Sequence, residues 1–386
     1  MRASRVSNER GIALAVAVFA LVVIGALVAG TFFAGRLEQQ TGRNSMLAAQ
    51  AAQVAEAGLG DAVSATLNAS TLNALAIAPT GNGVAIADYS GPTGSHLTAT
   101  RTVKRMSENL FLVTVLGAKT DNAGNKLAQQ SLAQLIRLNS ANISVSAGLT
   151  AIGKVSIGGN STVSGFDATP PEWTAAGVSC PPLDDVAAVR YNGQVTATGS
   201  STVKGDPNRE QDNAMTAGNM LGGSSFDQLK ALATLTLSGN VSGLGPVTTG
   251  NPAKCDISVE SNWGAPTDKA SPCFTYFPIV YHYGDLSISG SGEGQGILLV
   301  EGNLQVQGRI DFYGPVIVTG GVNIRGTGSD DVKFYGGVLA QDVTLDDSKL
   351  TGNAMVNYSS CAIKRALSGS ATPEAFSERS FVQLYQ

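Results

Sequence analysis

The residues that could do chemistry are few. Only two histidines, His96 and His282, occur in 386 residues, which leaves little room for imidazole-based metal binding or acid–base work. His282, in Tyr281-His282-Tyr283, reads as a packed strand residue, with no second histidine or thiol cluster near it in sequence. Gly148-Leu-Thr-Ala-Ile-Gly153-Lys154 imitates a phosphate-cradling loop. However, Val155 stands where a Ser or Thr would hold magnesium, and Val155 and Ile157 continue a strand pattern instead of opening a helix. The glycine run Gly290 to Gly296 precedes a strand and reads as a corner. Asp330-Asp331 and Asp346-Asp347 are paired carboxylates of the kind a polysaccharide-cleaving enzyme uses as acid and base. Neighbouring strand residues face opposite ways and both pairs fall where turns or insertions are expected, so they predict no catalytic site. Cys180, Cys255, Cys273 and Cys361 lack CxxC spacing, which fits disulfides better than a zinc site. A Cys255–Cys273 bond would close a modest loop worth about 3 kcal/mol, leaving Cys180 with Cys361. That is one of the three connectivities open to four cysteines. No catalytic residue, metal site or cofactor is expected.

Composition narrows what must hold these residues. Glycine, at 46 residues, and charge, at 14%, lie respectively well above and well below the usual ~7% and ~25%. Low charge with 43% hydrophobic residues argues against disorder. A net charge of −4 gives no basic stripe, so no nucleic-acid partner is expected. The glycines show no every-third-residue period, which excludes collagen.

Gly11 to Gly35 contains no charge and only Thr31 as a polar side chain. At 1.5 Å per residue that run reaches about 37 Å, enough to cross a ~30 Å hydrocarbon core. It is longer than the ~7–15-residue apolar core of a cleaved secretory signal. Arg2, Arg5 and Arg10 before the span, against Arg36 and Arg43 after it, favour a cytoplasmic N-terminus. The cysteines then lie outside the cytoplasm, beyond an inner membrane. From Leu37 to about Leu67 the chain is rich in Ala, Gln, Leu and Glu without proline, so the helix is expected to continue past the membrane.

Two stretches carry a family resemblance. A short polar leader ends in Asn8-Glu9-Arg10-Gly11 directly before Ile12-Ala13-Leu14-Ala15-Val16, and Ala51 to Leu59 (AAQVAEAGL) is similar to the "AAEAGL" stretch of PilX-type minor pilins. With the strands that follow, about residues 1–140 resemble a type IV pilin-related protein. The resemblance implies cleavage between Gly11 and Ile12, and packing of the pilin helix through Leu47, Val54, Glu56 and Leu59. Most major pilins carry a glutamate five residues after the cleaved glycine, where this chain has Val16. That departure points to a minor or tip position.

His96 to Lys104, Leu110 to Leu116 and Gln129 to Leu138 read as three strands on the exposed half of the helix, the last also suiting a helix by propensity. Beyond Asn139 the chain repeats. Ile310-Asp-Phe-Tyr-Gly314 recurs as Val332-Lys-Phe-Tyr-Gly336. The flanking phrases Ile297 to Gly302 and Pro315 to Gly320 recur at 18 residues, and Gly159 to Gly165 recurs at Gly199 to Gly205. Short glycine-ended strands at that period predict a parallel β-helix, with a hairpin-rich β-sandwich as the alternative. The expected fold is α+β: leader 1–11, transmembrane segment 12–35, pilin-like helix and small antiparallel sheet 36–140, β-helix 141–366 with insertions at 169–190, 206–235 and 245–278, and a tail 367–386. Ser225 to Leu235 reads as a short helix inside the second insertion.

The function expected from these readings is structural and non-catalytic: a minor or tip pilin-like subunit of a type IV pilus or related secretion system. Its partners would be other pilins through the N-terminal helix, the inner membrane, and a surface or glycan ligand reached through the insertions around Trp173 and Trp263. The alternatives are a membrane-anchored β-helical polysaccharide-active enzyme and an envelope scaffold outside any pilus.

Overall fold

The computed structural model describes residues 9–77, 83–178, 180–325, 331–340, 348–351, 354–376 and 381–384. It divides into two compact units, one of residues 1–67, 77–137 and 375–386, the other of 68–76 and 138–374.

The first unit is built on one helix, α1 (Glu9–Asp61), which ends in a π-helical turn, Ala62–Thr66. Four strands follow: β1 (Val84–Ser90), β2 (Leu97–Arg105), β3 (Leu110–Thr120) and β4 (Lys126–Asn139). They pair antiparallel in chain order. A further strand, Phe381–Leu384, lies antiparallel to β4, with Phe381 opposite Gln134. The range 367–386, expected to be a tail, therefore contributes two strands to this sheet, the other being Thr372–Ala375 beside β4. β1 was not expected either, because VAIADYS alternates weakly and its two faces are both largely exposed. The stretch that also suited a helix is extended throughout β4. Pairing with β3 buries Leu132, Ile136 and Leu138, which outweighs local propensity.

The second unit is a large, almost wholly parallel sheet. Its registers form three ladders. In the first, Leu235, Val280, Leu298, Val316, Val338, Leu149 and Val189 stand in one column of partners, all buried in a common core. In the second, Val241, Ile288, Val306, Ile324, Leu350, Ile157 and Ala197 are successive partners. In the third, Gly294, Phe312, Phe334, Val356, Val163 and Val203 align. Partners lie 18 residues apart between Leu298 and Val316, 22 between Phe312 and Phe334, and 40 between Val163 and Val203, the spacings of the repeated phrases.

Order along the ladders is not chain order. The chain enters at Ala147–Ala151, runs outward through Ala187–Tyr191, and crosses to the opposite end at Leu235–Thr236. It then returns rung by rung until Val332–Ala340 meets Ala147–Ala151. The seam, Val338 beside Leu149 and Met355 beside Thr162, is closed by strands far apart in sequence. Strands Ala187–Tyr191 and Arg209–Gln211 pair in this sheet although they fall in ranges expected to be insertions. The expected 225–235 helix is shorter, Phe226–Ala231, opened by a reciprocal cap between Ser225 and Gln228. Leu235 belongs to the ladder instead.

Candidate functional site

Among the described residues the first half of α1 has no structural partner. Phe19, Leu21 and Phe32 are each about 70% exposed, and every described residue from Leu14 to Gly35 is exposed on all sides. An apolar helix of this length is long enough to cross a membrane. Gly11 and Ile12, the expected processing pair, fall in the helix, while Met1 to Asn8 of the leader lies outside the described residues.

The second half of α1 is committed. Leu47, Ala51, Val54, Ala55, Gly58, Leu59 and Ala62 form its buried stripe at helical spacing. Leu47, Val54 and Leu59 are thus taken up by the unit's own sheet and are not a free surface for other subunits. Glu56 is exposed, as are Gln53 and Ala57 on the outward face. Two glycines permit the close approach: a Cβ at Gly117 would run into the Ala51 carbonyl oxygen, and one at Gly58 into Ala99.

A buried cation locks the end of this packing. Arg101 on β2 is 2% exposed. Its Nε donates to the Ala87 carbonyl (2.6 Å), and its Nη1 donates to the Gly58 carbonyl (3.1 Å) and to Asp61 Oδ2 (2.5 Å). Thr66 Oγ1 also donates to Asp61 Oδ2. The Arg101 hydrogen bond, then that of Thr66, holds the Asp61 carboxyl below its ordinary pKa. The sequence offered no pattern for this clamp beyond an arginine in the alternating strand HLTATRTVK.

In the second unit the two tryptophans are core, not ligand platforms. Trp173, on the helix Pro171–Ala175, is 0% exposed and stacks on Tyr313 (5.2 Å, 15°), which stacks on Tyr335 (5.1 Å, 17°). Arg365, on the helix Ser360–Gly369, lies over Trp173 (4.3 Å), Phe274 (4.9 Å) and Phe277 (5.3 Å). Burial pushes the Tyr313 hydroxyl pKa far up and that of Arg365 down. Trp263 is equally buried, edge-on to Phe312, and donates its Nε1 to the Glu260 carbonyl. Both indoles are buried, so a ligand held by the insertions around them would be met by other side chains. Disulfides join Cys180 to Cys361 and Cys255 to Cys273.

The other sequence candidates separate. Ala147–Ala151 and Val155–Ile157 are both strands, so the Gly148–Lys154 loop opens no helix on which a phosphate could sit. His282 is 7% exposed on the strand Ile279–Tyr283, its Nε2 3.2 Å from the Asp285 carbonyl. Asp330, Asp346 and Asp347 lie outside the described residues, while Asp331 stands half-buried just before the strand Val332–Ala340. Among the described residues, no group of three or more His, Cys, Asp and Glu is placed to hold a metal ion.

No protein-family model matches the chain, and no curated protein matches it. Among solved structures it is similar to the crystal structure of the competence-associated pilin ComZ from Thermus thermophilus. The likeness has 11% identity and a TM-score of 0.26, and covers 88% of this chain and 97% of that one. None of these comparisons ties the chain to PilX-type minor pilins.

Proposed function

We propose that the chain is a membrane-anchored, pilin-like structural subunit, held at a minor or tip position of a type IV pilus or related secretion machine. The observation that carries this reading is the single helix α1. Its apolar half is wholly uncovered and runs without a break into a half docked on its own antiparallel sheet. In the membrane the apolar half is solvated by lipid, and in a filament the same surface would pack against equivalent helices. Val16, where major pilins carry a glutamate, leaves the span without a charge to pair with a neighbour's amino terminus, in keeping with a minor position. The N-terminus would face the cytoplasm and both disulfides the oxidising side.

We read the three parallel ladders as a β-helix that serves as a non-catalytic head. Support comes from partners repeating at 18 and 22 residues, and from inward columns of Val, Leu, Ile and Phe buried in one core. A photo-cross-linking residue placed at Gln53 or Glu56, on the outward face of α1, tests the assembly reading. Adducts with other pilins are expected from these sites and not from Val54, which its own sheet covers. Adducts from neither exposed site would contradict the proposal.

A further inference from the structure

One flank of the parallel sheet carries polar groups that no described residue uses. At the corner leading into the second ladder, side chains tie each rung to the next. Asp285 Oδ1 accepts from the backbone N–H (2.8 Å) and Nδ2 (3.0 Å) of Asn303. Asn303 Oδ1 accepts from the Gly321 N–H (2.7 Å), and Asn240 Oδ1 from the Ser287 N–H (2.8 Å). These bonds hold the corner rigid and use one oxygen of each side chain. Among the described residues nothing takes up the Asn240 amide N–H₂, the second Asp285 oxygen, the Ser287 hydroxyl or the whole amide of Gln305, and all four residues line a cavity of about 340 Å³. Asn323 contributes its amide N–H₂, its oxygen being taken by Arg325. The apolar neighbours Leu286, Leu304 and Val322 point into the core and are buried.

The lining selects among ligand classes. No Lys or Arg is among the described residues that line the cavity, and Arg325, which reaches Asn323, spends its Nε on that side chain's oxygen, so the described lining offers no free cation to a phosphate, sulfate or carboxylate. One carboxylate among neutral amides is too few hard oxygens for a calcium site. What amides and hydroxyls match is a partner whose groups both donate and accept, which describes sugar hydroxyls. Ser287, Gln305 and Asn323 are register partners on successive rungs, so these groups repeat at the ~4.8 Å strand spacing along the stack. A row of that kind suits a chain of repeating units better than a single small molecule. We propose that this flank binds a neutral oligosaccharide lying along the stacking direction over Ser287, Gln305 and Asn323. The site is on the second unit alone and does not depend on whether α1 enters a filament.

The test uses the full chain, solubilised in a detergent without a sugar headgroup and titrated calorimetrically with maltohexaose, cellohexaose and chitohexaose. At least one is expected to bind saturably with a dissociation constant of ~1 mM or tighter. The double variant Gln305→Ala/Asn323→Ala is expected to weaken that binding by about tenfold or more. Gln305 is exposed and Asn323 half-buried, so an unchanged thermal transition shows that the variant is folded. Binding of none of the three sugars, or equal binding by the variant, would overturn the proposal, as would a preference for an anionic glycan such as a hyaluronan hexasaccharide. Recovery of the variant in sheared filaments at the parent's level separates this site from the assembly role.

Discussion

Arg101 concentrates the residue-scale energetics of the first unit. Its guanidinium satisfies two carbonyls and one carboxylate in a place water scarcely reaches. Arg101→Ala leaves all three short of a donor, and with Asp61 still a third exposed the expected loss is about 1–3 kcal/mol in a denaturant titration at neutral pH. The same contact sets a pH dependence. The folded-state pKa of Asp61 is depressed, so its contribution is present above the unfolded carboxylate pKa of about 3.9 and is lost as pH falls through the lower folded value. Asp61→Asn should therefore be less stable than the parent at pH 7, and the gap should narrow as the pH is lowered toward 2. A gap that widened on acidification would contradict the assignment. Gly117→Ala drives a methyl into the backbone of α1 and should cost about 1–3 kcal/mol by the same measurement.

At the scale of elements, what could be read from sequence was what repeats between touching neighbours. Tyr313 and Tyr335 occur in the same phrase because they stack on adjacent rungs, and Gly314 recurs as Gly336 because the two are register partners. Both glycines hold φ near +140°, and a Cβ at Gly336 would strike the Gly314 carbonyl, so Gly336→Ala should cost about 2–4 kcal/mol. The seam was not legible. Leu149 and Val338 share no phrase, since a strand that only has to be apolar and extended leaves no signature of its partner. Nor were β1 and the Phe381–Leu384 strand, which are short or lie mostly on the surface and take their form from pairing. The ladder's ends differ in a measurable way. Among the described residues Thr202–Lys204 has a strand partner on one side and is partly exposed, whereas Leu298–Val300 is paired on both sides and fully buried. Hydrogen exchange should be markedly faster in the former. Equal protection would mean that the terminal rung is covered.

For the molecule as a whole, the surplus glycine and scarce charge divide between two sources: the apolar first half of α1, and a sheet whose corners bring backbones together. The second unit is made of residues 68–76 and 138–374. Within it, the Cys180–Cys361 bond links positions 181 residues apart. Cys361→Ser should lower stability by roughly 3–5 kcal/mol, more than the ~3 kcal/mol expected for Cys273→Ser, whose loop spans 18 residues. Thermal unfolding with and without reductant gives that comparison. The central claim, a structural subunit built into a filament, is tested most directly by quantitative mass spectrometry of filaments sheared from cells. The account predicts this chain in the sheared fraction, at a small proportion of the main subunit, with its amino terminus at Ile12. A filament fraction without it, while the membrane fraction holds it all, would contradict the account.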